Sequence, residues 1–410
     1  MNTSHPPHLP MLHNRAMLAL LTAQFLSALA DNALLIVAIA TLKIQLEAGN
    51  VPWLQIAFVL PFILLAPFVG VLADALPKGR VLLIGNGVKL LGGLSLLLGA
   101  HPIVAYGIAG IGAAIYSPAK FGILTQLFPP QSLVRANSLL EGSTIVAILL
   151  GVFLGGLLTD YDLDLALASV IGLFFLAALI NLLIPRLPIE SPLKDHHLGA
   201  TLRSFGSDLL TLYRIPDARA SLLATTSFWG LGATMRLMLF AWVPLALGVA
   251  DNSTPSNLMG AVSIGIVAGA VIAGLLIPLH QANRALIGGL LLGPLVMLLA
   301  LTQNLPVAVA LLIALGAAGG MFVVPMNAML QDAGHRTIGA GRALAVQNLW
   351  ENMAMMLFVG LYLLFSQLGM SIVLNLFVFG LLLLMLTGLI SWLRLRKVQV
   401  EQIAEYSDSP

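Results

Sequence analysis

The stretch AQFLSALADNALLIVAIA, Ala23–Ala40, is almost wholly apolar, yet Asp31 and Asn32 lie in its middle. An apolar segment of about 20 residues is long enough to cross the hydrocarbon core of a membrane as a helix. A charged side chain at the centre of such a helix costs about 2.5–3.5 kcal/mol, so it needs a partner or a polar cavity. The stretch therefore predicts a spanning helix with one face turned towards the interior of a helix bundle.

The composition extends this prediction to the whole chain. Of its 410 residues, 59% are hydrophobic and 9% are charged, whereas soluble domains carry about 25% charged residues. The chain contains no cysteine, and its eight histidines show no metal-ligand spacing, so we expect neither a metal site nor a cofactor. Apolar runs between charged, Pro or Gly breaks predict an all-α membrane protein with twelve transmembrane helices, at 15–41, 53–74, 80–100, 102–126, 135–158, 163–185, 217–248, 256–278, 284–303, 306–330, 342–366 and 371–393.

The basic residues predict the orientation of these spans. Three of the 19 Lys and Arg residues lie within runs, and 15 of the other 16 fall on one side; only Lys43 falls on the opposite side. Because Lys and Arg concentrate on the cytoplasmic side of a membrane, both termini are expected in the cytoplasm. The basic charge therefore serves topology, and nucleic acid is excluded as a partner.

An internal repeat divides the spans into two six-helix halves. A shift of 207 residues lays GAAIYSPAKFGILTQL on GGMFVVPMNAMLQDAG, matching Gly112 with Gly319 and Pro118 with Pro325. Such repeats are found in secondary transporters, whose substrate sites lie between the repeats. The predicted domains are an N-terminal half (1–185), a central cytoplasmic loop with an amphipathic segment suited to the membrane interface (186–216), a C-terminal half (217–393) and a cytoplasmic tail (394–410).

The stretch GVLADALPKGR, Gly70–Arg80, together with the 6+6 plan, resembles the major facilitator superfamily. This resemblance implies that Gly70 permits close helix packing and that Asp74 lies near a helix end at the cytoplasmic gate. It also implies that Lys78 and Arg80, with Gly79 between them, hold a short loop at the cytoplasmic surface. The sequence departs from the common pattern at Ala75 and Pro77.

More narrowly, AQFLSALADNALL, GNGVKLLG, AAIYSPAKFGIL and LVRANSLLEGSTIVAILLG resemble the bacterial lysophospholipid transporters of that superfamily. The resemblance implies a flippase that moves lysophosphatidylethanolamine and related lysolipids from the outer to the inner leaflet of the bacterial inner membrane. There an acyltransferase and acyl-carrier-protein synthetase restores the missing chain. Since only a short polar tail follows the last run, we expect that enzyme to be a separate chain.

The candidate substrate-binding or gating residues are the ionisable side chains inside the spans and the polar residues beside them. Asp31 and Arg236 lie about 24 Å and 28 Å from the cytoplasmic start of their helices, at 1.5 Å per residue, and the resemblance implies that these helices face each other. We therefore expect Asp31 and Arg236 to form a breakable pair or to hold the head group between them. The other candidates are Gln24, Asn32, Lys89, Lys120, Glu141, Asn348, Glu351 and Asn352.

Each of these residues also has a structural interpretation. Lys89 is expected to form an interhelix pair, with head-group contact as a second role. Lys120 either meets a phosphate or extends to the nearby cytoplasmic surface, and it pairs with Glu141 when no substrate is present. The patch around Glu351 binds an ammonium group, carries a coupling ion or joins helices.

Two functions compete with lysolipid transport. One is a proton-coupled drug or metabolite exporter of the same superfamily, and the other is a transport-inactive scaffold for an acyltransferase. No nucleophile–base arrangement occurs in the sequence, so we expect no enzymatic activity. The interior cations and carboxylates together suit a zwitterionic lysolipid.

Overall fold

The computed structural model describes residues 14–47, 50–191, 198–249 and 253–407, and these residues form α-helices and no strand. Fourteen α-helices run through them in chain order: α1 Arg15–Ile44, α2 Val51–Leu64, α3 Ala66–Ala75, α4 Lys78–Leu97, α5 Pro102–Leu127, α6 Leu133–Tyr161, α7 Leu163–Asn181, α8 Leu198–Arg214, α9 Pro216–Leu247, α10 Ser253–Leu276, α11 Ala285–Leu301, α12 Leu305–His335, α13 Ala340–Gln367 and α14 Ile372–Ser407.

Polar residues between the apolar runs begin several of these helices. The side chain of Asn14 accepts hydrogen bonds from the first turn of α1, Asp162 does so for α7, and Asn304 does so for α12. A short oxygen-bearing side chain at this position satisfies a backbone N–H that has no partner inside the helix. The breaks that separate the apolar runs in the sequence thus also start the next helix.

Eleven of the described helices are long and apolar enough to cross a membrane, and a bent pair brings the number to twelve. The pair is α2 and α3, which meet at Leu65 with a bend of 62°. Pro61 lies inside α2 and Pro67 lies in the first turn of α3. Proline lacks a backbone N–H and crowds the preceding turn, which accounts for the break in the predicted span 53–74. The prediction of an all-α fold with twelve spans is confirmed.

Contacts among the described residues divide the chain into two compact units. The first unit is drawn at Met1–Pro129 with Val146–Asp195, and the second at Pro130–Ile145 with His196–Pro410. The boundary therefore falls inside α6, whose first half belongs with the second unit. The repeat did not indicate this division, and the domain limits 1–185, 186–216, 217–393 and 394–410 stay predictions.

The amphipathic segment of the central loop forms α8, which is tied to α13 by a buried ion pair. Arg342 donates from Nε to Oδ2 of Asp208 at 2.7 Å and from Nη2 to Oδ1 at 2.5 Å. Burial raises the pKa of Asp208 above its ordinary value, although the Arg342 guanidinium opposes the rise. Phe205 and Leu212 are buried on the same face of α8, and the ion pair holds this helix against α13 within the second unit.

Candidate functional site

A buried ion pair joins α1 to α4 within the first unit. Lys89 Nζ lies 2.6 Å from Oδ2 of Asp31, and their side chains are 3% and 15% exposed. Lys89 also donates to Oγ of Ser27 at 3.0 Å, and Ser27 donates to Oδ1 of Asn86 at 2.6 Å. The expected interhelix pair of Lys89 is therefore present, and its partner is Asp31.

Two glycines bring α5 against α4 beside this lysine. A Cβ atom built on Gly112 would lie 2.5 Å from the carbonyl oxygen of Gly85 and 2.7 Å from Cγ of Lys89. Contacts this short leave no room for a side chain, so the two backbones touch here. Glycine permits such close approach of helices inside a membrane, and the approach sets the position of the Lys89 side chain.

Tyr116 of α5 completes the cluster around Lys89. Its ring centroid lies 5.0 Å from Nζ of Lys89, a distance at which the face of the ring attracts a cation. The Tyr116 side chain is 4% exposed and Asn86 is fully buried. We call Ser27, Asp31, Asn86, Lys89 and Tyr116 the Lys89 cluster.

The other predicted residues of the first unit lie on the same helices. Gln24 is buried on α1, one turn before Ser27. The side chain of Asn32 donates to the carbonyl of Ala28 at 2.8 Å, within its own helix. Lys120 on α5 is half-buried, and its Nζ lies 4.4 Å from the ring centroid of Phe121. The pairings of Lys120 with Glu141 and of Asp31 with Arg236 stay predictions.

A chain of amides links two buried carboxylates in the second unit. Asn327 of α12 donates to Oε1 of Glu141 at 3.2 Å. Gln347 of α13 donates to Oδ1 of Asn327 at 2.7 Å and to Oε1 of Glu351 at 2.6 Å. Glu141 and Glu351 are 8% and 7% exposed. The side-chain amides of Asn327 and Gln347 thus connect the Glu141 carboxylate to the Glu351 carboxylate through hydrogen bonds.

A reciprocal amide pair lies beside that chain. Asn137 of α6 donates to Oε1 of Gln331 at 2.8 Å, and Gln331 donates to Oδ1 of Asn137 at 2.7 Å. Both residues are fully buried. Each amide thus satisfies the other, which fastens the first half of α6 to α12.

The remaining predicted residues of the second unit are more open or bond locally. Arg236 on α9 is exposed. Asn352 on α13 is 8% exposed and donates to the backbone carbonyl of Asn348 at 2.7 Å. The structure therefore brings Glu141 and Glu351 into one network but leaves Asn352 bonded to its own helix.

The residues of the predicted cytoplasmic loop lie mostly in helices. Gly70 and Asp74 belong to α3, while Lys78, Gly79 and Arg80 form the first turn of α4. Arg80 is exposed, but Lys78 is 1% exposed and lies 2.6 Å from Oδ1 of Asp74. The Lys78 ammonium also lies 3.6 Å from Oε2 of Glu190, so it is enclosed by two carboxylates, and its expected role at the cytoplasmic surface stays a prediction.

Among the residues of these networks that were absent from the predicted site are Asn86, Tyr116, Asn327 and Gln331. They carry no formal charge, so they do not stand out in an apolar run as a lysine or an aspartate does. A signal existed for two of them. Asn86 lies three residues before Lys89 on the same face of its helix, and Asn327 is the counterpart of Lys120 at the 207-residue shift.

Comparisons with known proteins show the family of this chain. The Major Facilitator Superfamily model matches residues 20–359. A lysophospholipid transporter of Serratia proteamaculans is 46% identical over 363 residues, covering 88% of this chain and 91% of that protein. One of Cronobacter sakazakii is 47% identical over 364 residues, with the same coverage. The chain belongs to the lysophospholipid transporter family of the major facilitator superfamily.

The superfamily fold is also found in distant solved structures. The fucose:proton symporter of E. coli superposes with a TM-score of 0.72 at 17% identity, over 92% of this chain and 98% of that one. The human organic anion transporter MFSD10 gives a TM-score of 0.74 at 16% identity, over 93% and 100%. Gly70–Arg80 and the 6+6 plan thus correctly indicated a major facilitator protein.

Proposed function

We propose that this chain is a flippase that moves lysophosphatidylethanolamine and related lysolipids from the outer to the inner leaflet of the bacterial inner membrane. The observation that carries the proposal is the identity of 46% to a lysophospholipid transporter across 88% of the chain. Likeness over nearly the whole length includes the helices that bear the charged side chains. No comparable observation favours a drug or metabolite exporter.

The chemistry of the interior supports a zwitterionic substrate. Lys89, Lys120 and Arg236 offer cations that attract a phosphate, and Asp31, Glu141 and Glu351 offer carboxylates that attract an ammonium group. Buried charges in a membrane need partners of opposite sign. A head group carrying both signs replaces such partners without leaving a net charge in the interior.

The membrane and the partners follow from the same proposal. The chain lies in the inner membrane with both termini in the cytoplasm, where basic residues concentrate. It carries out no reaction of its own, and a separate acyltransferase and acyl-carrier-protein synthetase reacylates the delivered lysolipid. The flipped lysolipid is then the substrate of that enzyme in the inner leaflet.

The test is uptake of labelled lysophosphatidylethanolamine into cells that lack their own lysolipid importer. We expect uptake with the wild type and loss of most of it with Asp31→Asn or Arg236→Ala at equal protein amounts. Lys43→Ala is the control, because it removes an exposed charge from the end of the same helix as Asp31. Drug resistance without lysolipid uptake in wild-type cells would favour the exporter, and reacylation without flipping would favour a scaffold.

A further inference from the structure

Three polar atoms around Lys89 are buried without a hydrogen-bond partner among the described residues. They are Oδ1 of Asp31, Nδ2 of Asn86 and the hydroxyl oxygen of Tyr116. Leaving one buried polar group unsatisfied costs about 1–3 kcal/mol, and native proteins leave few of them. Three such atoms within one cluster indicate a place where a polar group of a ligand binds.

The contacts within the cluster use other atoms of these residues and leave these three without a hydrogen-bond partner. Asp31 uses Oδ2 for Lys89, and Asn86 uses Oδ1 for the hydroxyl of Ser27. Tyr116 contacts Lys89 through its ring rather than its hydroxyl. The remaining atoms are therefore one carboxylate acceptor, one amide donor and one phenol that donates or accepts. Asp31 keeps 15% exposure, so the cluster is open at that residue.

This set of atoms matches an alcohol better than the charged parts of a lipid head group. A phosphate only accepts hydrogen bonds, and an ammonium group only donates them. A hydroxyl donates once and accepts twice, so one such group has the donor and the acceptors that Asp31 Oδ1, Asn86 Nδ2 and the Tyr116 hydroxyl lack.

A lysolipid differs from its diacyl parent by one such group. Where the parent carries a second acyl ester, the lysolipid carries a free hydroxyl on the glycerol. We propose that Asp31, Asn86 and Tyr116 bind this glycerol hydroxyl and thereby select lysolipids over lipids in which it is blocked. The inference rests on the proposed function and names the group that the transporter recognises.

The selection follows from the cost of unpaired groups. A site built to hydrogen-bond a hydroxyl discriminates strongly against an analogue that lacks it, because its buried polar atoms stay unsatisfied. An acyl ester at the same carbon has no proton to give to Asp31 and is bulkier than a hydroxyl. Both effects act against the diacyl lipid.

The experiment compares uptake of two labelled lipids by the same cells. One is 1-acyl lysophosphatidylethanolamine, and the other is its 2-deoxy analogue, in which hydrogen replaces the hydroxyl. For the wild type we expect the hydroxyl-bearing lipid to be taken up about ten times faster, as expected for the loss of one buried hydrogen-bonded group. This comparison needs no variant, so it does not depend on how a substitution folds.

Tyr116→Phe locates the contact. It removes the hydroxyl but keeps the ring over Lys89, so we expect the uptake ratio to fall several-fold towards one. Tyr106→Phe is the matched control, since Tyr106 is a buried tyrosine of the same helix that stacks on Phe58 at 4.8 Å. Its ratio should equal that of the wild type.

The outcomes separate the two proposals. Equal uptake of both lipids by the wild type would overturn the hydroxyl contact and leave lysolipid transport standing. A wild-type ratio that Tyr116→Phe leaves unchanged in a well-expressed protein would also overturn it. Uptake of neither lipid would overturn the proposed function, and the hydroxyl contact with it.

Discussion

Lys89 holds the polar centre of the first unit through contacts to two other helices. Its ammonium lies against Asp31 and Ser27 of α1 and beneath the ring of Tyr116 of α5, while the residue itself is on α4. Breaking a buried ion pair by removing one partner is more damaging than removing both, because the remaining charge stays buried and uncompensated. The free energy of unfolding of this unit should therefore fall more when one of Asp31 and Lys89 is replaced than when both are.

A double-mutant cycle tests this dependence. We expect Lys89→Met to lower the free energy of unfolding by about 3–5 kcal/mol, since it leaves the Asp31 carboxylate alone. Asp31→Asn combined with Lys89→Met should lower it by less than Lys89→Met alone. The measurement is denaturation of the purified protein in detergent. Losses that simply add in the double variant would show that the two residues do not depend on each other.

The sequence indicated which buried positions are charged, but it did not indicate the partner of each charge. Hydropathy identifies Asp31 and Lys89 because each interrupts an apolar run, and the helical rise gives the depth of each. It does not say which helices are neighbours, so a partner 58 residues away was missed. Depth suggested Arg236 together with the family resemblance, which implies that the two helices face each other, and that pairing stays a prediction.

The contact between α4 and α5 is the element that positions Lys89. Gly85 and Gly112 face each other where the two backbones touch, and Gly112 also lies against the Lys89 side chain. Gly87, two residues along α4, has no atom within 4 Å of a Cβ built on it. The two positions on α4 therefore differ in packing although both are glycines in the same helix.

Alanine substitutions separate packing from helix propensity. Gly112→Ala should destabilise the protein by about 1–3 kcal/mol through overpacking and reduce lysolipid uptake, because α4 and Lys89 must shift. Gly87→Ala should leave uptake unchanged and stabilise the helix by up to about 1 kcal/mol. Thermal denaturation and uptake, measured on both variants, check these expectations. A Gly112→Ala protein as stable and active as Gly87→Ala would contradict the packing described here.

The helices themselves were more predictable than their contacts. The predicted span 342–366 corresponds to α13, Ala340–Gln367, and 102–126 corresponds to α5, Pro102–Leu127. Apolar length and polar breaks suffice for such limits. The span 53–74 contains a bend that hydropathy does not record, because a proline break leaves the segment equally apolar.

Across the whole molecule, helices related by the 207-residue repeat begin and end at nearly equivalent positions. The shift of 207 residues carries the start of α6 at 133 to 340, where α13 starts, and the end of α5 at 127 to within a residue of the end of α12. The two helix pairs nevertheless have different surroundings. The first half of α6 belongs to the second unit and its second half to the first, so α6 is the helix that the two units share.

A shared helix constrains any movement of the units. Transporters with repeats of this kind work largely by rocking one bundle of helices against the other around the binding site. If the first unit moves, the first half of α6 must leave α12 or the helix must bend. In the first case the reciprocal amide pair of Asn137 and Gln331, which lies within the second unit, opens, and in the second case it stays closed.

Cross-linking tests whether it opens. The chain contains no cysteine, so Asn137→Cys and Gln331→Cys introduce the only two thiols, which a short cleavable bis-maleimide can join. We expect the linked protein to lose lysolipid uptake and to recover it when the linker is cleaved. The control pair is Asp217→Cys with Arg394→Cys, whose native side chains lie 2.5 Å apart between α9 and α14 of the second unit. Linking those helices should leave uptake intact, because α9 and α14 lie wholly within the second unit, whereas α6 crosses its boundary. Uptake at the unlinked rate after complete linking of 137 to 331 would mean that α6 stays fastened to α12 during transport and that the moving boundary lies elsewhere.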